Sequence, residues 1–198
     1  MKHAHWYYFI ALVDELEETS RYVEFSPENF ATYSTEFSKL ILAACSEIDV
    51  VCKLLCQKIK PDSQAANIRE YQKAILPTYK HLPSIEVVLR RYEISLRPWE
   101  SWSTDHTPDW WNDHNDIKHH RDQHYRKSSL KNAIASVAGL AVMVTYLYHD
   151  ELSQTLTNTI PSFLFVAYQY NRGSVMLAKP LMHLPDFPKT DPFSRRKR

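Results

Sequence analysis

The hexapeptide His114-Asn115-Asp116-Ile117-Lys118-His119 gathers two imidazoles, a carboxamide, a carboxylate and an ammonium group, and Arg121 follows two positions later. Imidazole gives or takes a proton near neutral pH, and lysine or arginine can hold a phosphate and offset the charge that builds on it. On a helix starting near Pro108, steps of three and four bring Asn115, Lys118, His119 and Asp122 to one face, with His114, Lys118 and Arg121 on the adjoining strip. Such a face suits cleavage of a phosphodiester. A second set of polar groups, Glu47, Asp49 and Lys53, lies on an earlier helix. Glu47 sits at the edge of an apolar stripe, four residues before Val51, where a neighbouring helix could meet it. A carboxylate there would orient a histidine or lysine of the block and raise its pKa. The other reading is a surface pair between Asp49 and Lys53, worth little. Both readings stand at this point.

Other chemistries fit less well. His119, His120 and His124 crowd together, and His120 and His124 have the helical spacing of zinc ligands. Arg121 stands where a metalloprotease helix needs its glutamate, and Lys118, Arg121 and Arg126 oppose a dication, so no metal is assigned. The only glycines are Gly139 and Gly173, which removes the phosphate loop of nucleotide hydrolases, and there is no serine-elbow motif. No cofactor is expected. The net charge of +1 gives no general attraction to nucleic acid. One local excess of cations is the tail, Arg195-Arg196-Lys197-Arg198, which can bind phosphates or keep a frayed end solvated. Trp99, Trp102, Trp110 and Trp111 fall in one window, and indoles there can plug the end of a bundle or stack on a ligand.

The elements that must position these groups are mainly helical. Trp6, Phe9, Ile10, Val13 and Leu16 mark a short amphipathic helix. Ser26-Pro27-Glu28 reads as a capped start, and the stripe from Phe30 to Ile59 predicts a long helix over 27–60, roughly 50 Å in length. A third helix follows Ser63 and runs through Ile68, Tyr71 and Ile75. Between Pro83 and Pro98 the period becomes two, which predicts an extended arm or small hairpin. Ala133, Ile134, Val137, Leu140, Ala141, Val144 and Leu147 define a core helix over 128–150, apolar on most sides. A second hairpin could turn at Asn171-Arg172-Gly173, inside a C-terminal extension over 152–198 that ends in the basic tail. With 198 residues, 44% of them hydrophobic, one domain is the expectation. Cys45, Cys52 and Cys56 read as buried free thiols of a reducing compartment, and the cytoplasm is the expected location. Val137 to Leu147, the longest apolar run, falls short of the ~20 residues that span a bilayer, so no membrane is expected.

In order of elements and local motif the chain resembles the HEPN superfamily of helical proteins. That family carries a signature of arginine, a polar residue such as asparagine, three variable residues and histidine beside the last core helix. Here Asn115 and His119 match, and His114 stands in place of the arginine. Glu47, Asp49 and Lys53 look like the family's polar positions facing the signature, and Trp110-Trp111, Asn115, Lys118-His119 and Arg121 look like an uncharacterised bacterial branch. The resemblance covers about Phe30 to Tyr148 and implies an up-and-down HEPN-like bundle. It further implies a homodimer with a composite, metal-independent ribonuclease site in a bacterial defence or toxin–antitoxin module, with RNA as substrate and a partner protein of that module. His119 would then be the acid/base residue, Asn115 a positioning donor, and Lys118 or Arg121 the phosphate-holding cation. The alternative is a catalytically silent HEPN-like scaffold, sensor or antitoxin-like partner.

Overall fold

Six helices dominate the computed structural model, which describes residues 3–152, 156, 165–167 and 186–187. They are α1 (Ala4–Thr19), α2 (Thr35–Ile59), α3 (Ile68–Ile75), α4 (Asp109–His124), α5 (Leu130–Leu147) and α6 (His149–Leu152). Three short strands join them: β1 (Glu86–Leu89), β2 (Ile94–Leu96) and β3 (Phe165–Ala167). The chain is a mainly helical bundle with a minor extended part, as its periodicities predict.

At the centre is α5, in which every residue but Lys131 and Leu147 is buried. It is capped by Ser129, whose side chain accepts from the Asn132 amide. Small residues (Ala133, Ala135, Ala138, Gly139, Ala141) alternate with branched ones, which lets α2 lie closely along it while α1 and α4 cover other sides. By length and composition the whole of Leu130–Leu147 could cross a membrane, which the shorter run read from sequence did not suggest, and 89% of it is buried inside the fold.

The start of α2 departs from the sequence reading. Ser26-Pro27-Glu28 opens only a single turn of 3-10 helix, Pro27–Asn29, and α2 begins at Thr35. The reason is competition for the backbone. Leu130 and Lys131 donate to the carbonyls of Thr32 and Phe30, and Ser34 donates to the carbonyl of Ser128, so the segment 30–34, a turn followed by a short bridge at Tyr33, is held against the entry to α5. Ser34 is then the true cap, with Oγ accepting from the Phe37 amide at 3.1 Å. With 25 residues α2 is about 37 Å long rather than 50. The third helix also starts later than Ser63 suggests. Asn67 caps it by accepting from the Glu70 amide, and the Glu70 carboxylate accepts from the Ala66 amide in return.

The period-two segment forms the expected hairpin, with Val87 opposite Leu96 and Leu89 opposite Ile94. β3 pairs with the free edge of β1, giving the order β2-β1-β3. The hairpin read around Asn171-Arg172-Gly173 and the basic tail lie outside the described residues.

The tryptophan window is packing. Trp99, Trp102, Trp110 and Trp111 are all buried, and their rings touch in series, with centroids 4.5, 5.2 and 5.9 Å apart. Trp99 Nε1 donates to the Gly139 carbonyl at 3.0 Å and Trp110 Nε1 to the Pro98 carbonyl at 2.9 Å. Gly139 is required for this approach, because a Cβ on it would lie 2.9 Å from the Trp110 ring. No indole face is open for stacking on a ligand, which rules out the nucleic-acid platform that the window suggested.

Candidate functional site

Helix α4 divides lengthwise into three strips. Trp110, Trp111, His114 and Ile117 are buried and press the helix against the body. Asp113 and Asp116 form a second strip, gripped from the next turn by Lys127, whose Nζ lies 2.7 Å from Asp113 and 2.6 Å from Asp116. Asn132 of α5 completes the grip, its Nδ2 donating to the Asp113 carboxylate and the Lys127 carbonyl, both at 2.9 Å. This partnership holds the Asp116 carboxyl below its ordinary range, Lys127 being the chief cause, with His124 and His120 adding to it. The third strip, Asn115, Lys118 and His119, faces solvent. Among the described residues none of these three side chains makes a hydrogen bond or ion pair, and the His119 ring lies beside that of His120, with centroids 6.4 Å apart.

The helical spacing read from the sequence holds only as far as His119. At His120 the backbone leaves helical geometry, with φ −142° and ψ 44°. An unbroken helix would place residue 127 about 16 Å beyond Asp116, well past the reach of a lysine, so the chain has to break for Lys127 to return. Arg121 and Asp122 are exposed beyond the break and do not continue the strip as ideal spacing implies.

The residues expected to face the block are divided between two other junctions. Glu47 points to α1, where its Oε1 lies 2.5 Å from His5 Nδ1, and so does not meet α4. Asp49 is held by two donors: the Tyr71 hydroxyl of α3 at 2.6 Å and Lys53 Nζ at 2.5 Å. The Asp49–Lys53 pair is therefore present, as the second reading had it, and Asp49 also acts electrostatically on His114. Burial, and then the Asp49 carboxylate, push the Tyr71 hydroxyl far above its usual value.

His114 differs from the rest of the block. It is 6% exposed, its ring lies against Trp111 with centroids 5.3 Å apart, and its Nδ1 is buried without a hydrogen-bond partner. Burial above all, and then the charges of Lys118 and His119, lower its pKa to about 4 against the opposing effect of Asp49. At neutral pH it is an uncharged packing residue. Lys118 and Arg121 are exposed cations of α4 that make no ion pair among the described residues.

Sequence reasoning missed Lys127, Asp113 and Asn132, which hold α4 in place, and Tyr71, which holds Asp49. Only Asn132 had a visible signal, as a polar side chain near the start of an apolar helix. No family model matches the chain, and neither does any curated protein or solved structure.

Proposed function

We propose that the chain is a metal-independent endoribonuclease that works through the solvent strip of α4. The observation that carries this reading is the pairing of an exposed, unengaged cation, Lys118, with an exposed imidazole, His119, on a helix whose other two strips are fixed. His119 takes the proton from a ribose 2′-hydroxyl as O2′ attacks the adjacent phosphorus. The bond from phosphorus to O5′ breaks, and a second imidazole returns a proton to the departing oxygen. Lys118 offsets the phosphate charge, Arg121 extends the cationic surface, and Asn115 donates to a phosphate oxygen. The similarity to the HEPN superfamily supplies the second imidazole as the His119 of a paired copy, and the setting as a bacterial defence or toxin–antitoxin module.

The direct test is RNA incubated with the full chain in chelator. Fragments ending in 2′,3′-cyclic phosphate and 5′-hydroxyl are expected, and intact RNA at all enzyme concentrations would overturn the proposal.

A second reading is a catalytically silent scaffold, sensor or antitoxin-like partner of the same class. It is favoured by His114, which is buried and neutral where the family's signature carries a cation. In this reading α4 serves only to close the bundle, and the solvent strip does no chemistry.

A further inference from the structure

At the opposite end of α5 from the α4 grip, the chain holds a pair of its own distant residues. Asp186 and Phe187 lie more than thirty positions beyond α6 in sequence. The Asp186 carboxylate accepts from the His81 backbone amide, with both oxygens at 3.2 Å, and from the Tyr146 hydroxyl at 2.9 Å. The Phe187 ring stacks on His149 with centroids 3.6 Å apart and planes within 5°. Tyr79 and Tyr146 close around it at 5.3 and 5.6 Å and meet each other edge-on at 4.9 Å.

The seat belongs to the body of the fold. Tyr146 lies in the last turn of α5 and is 0% exposed, and Tyr79, after α3, is 7% exposed. Its chemistry is selective for two adjacent side chains. A backbone amide and a buried hydroxyl converge on a carboxylate, and three rings surround an aromatic side chain. The occupant is also suited to docking. Pro185 and Pro188 flank the pair, and a proline disfavours helical geometry in the residue before it, so less freedom is lost on binding.

We propose that the seat formed by Tyr79, His81, Tyr146 and His149 is a recognition site for an Asp-Phe pair. It is filled in cis by Asp186–Phe187 and takes the same pair from another chain when its own is withdrawn. The inference is independent of the ribonuclease reading. A tethered ligand competes with a free one through its effective concentration, so the cis pair masks the seat without abolishing it.

The test uses a fluorescent peptide with the sequence of residues 184–191 and the full chain carrying Asp186→Ala and Phe187→Ala. Saturable binding to this variant is expected, about tenfold tighter than to the wild type. Replacing the aspartate of the peptide by asparagine, or adding Tyr146→Phe to the receptor, is expected to weaken binding roughly fivefold or more, as the charge-assisted bonds are lost. Equal binding to variant and wild type, or binding insensitive to both changes, would overturn the proposal. Should the double alanine variant fail to fold, Asp186→Asn with Phe187→Leu carries the same comparison with the same outcomes.

Discussion

Helices α5 and α4 follow one another in the chain and pack together, but the fold covers them to different extents. α5 is enclosed by α1, α2 and α4 on nearly every side, and its polar side chains look inward: Ser136 and Thr145 bond back to carbonyls of their own helix. α4 is enclosed along one strip and gripped along a second, which leaves a third with no partners. Burial of α5 fixes the fold and leaves Lys131, at its first turn, as its one exposed residue. Partial burial of α4 fixes the helix while leaving the side chains of one strip in contact with solvent, where a general acid or base can act. Stability rests on α5 and the proposed chemistry on α4, so substitutions should separate them.

The largest effect belongs where the two helices share their packing. Trp99→Ala deletes an indole with 0% exposure and its bond to the Gly139 carbonyl, and is expected to cost about 3–5 kcal/mol in urea unfolding. A loss below ~1 kcal/mol would mean that the indole cluster does not anchor α4 to α5.

Next comes the buried imidazole. The unfolded chain protonates His114 near its ordinary value of 6.5, whereas the native state resists until about pH 4. The unfolded state therefore binds more protons between those values, and native stability falls as pH drops through that window. The stabilisation is complete above pH 6.5, and its loss amounts to roughly 2–3 kcal/mol by pH 4. His114→Leu is expected to flatten this part of the stability profile. An unchanged slope would show that the imidazole is not kept neutral by burial.

The smallest effect on stability is expected at the solvent strip. Lys118→Ala and His119→Ala remove exposed side chains without partners, so each should leave unfolding within about 0.5 kcal/mol of wild type. Calorimetry that found a loss of several kcal/mol would place the strip in the supporting framework.

Much of this division could be read in the sequence, because it rests on local periodicity. The enclosed α5 follows from apolar residues all round from Ala133 to Leu147, and the exposed strip from the spacing of Asn115, Lys118 and His119. Hidden features came from contacts distant in sequence. Nothing near Ser26-Pro27-Glu28 reveals that Phe30 and Thr32 will be recruited by Leu130 and Lys131, which cuts α2 short. Likewise, the break at His120 is imposed by Lys127 reaching back to Asp113 and Asp116. His114 looked like a neighbour of His119 in chemistry as well as in sequence. Its ring instead packs against Trp111, out of reach of solvent.

The central claim is that His119 does chemistry from a strip the fold does not need. It is tested most directly by comparing wild type with His119→Ala for cleavage of a labelled RNA in chelator, at matched folded concentration. The account predicts a rate at least ~100-fold lower in the variant, with 2′,3′-cyclic phosphate ends formed only by wild type. Equal residual cleavage by both proteins, or none by either, would contradict it.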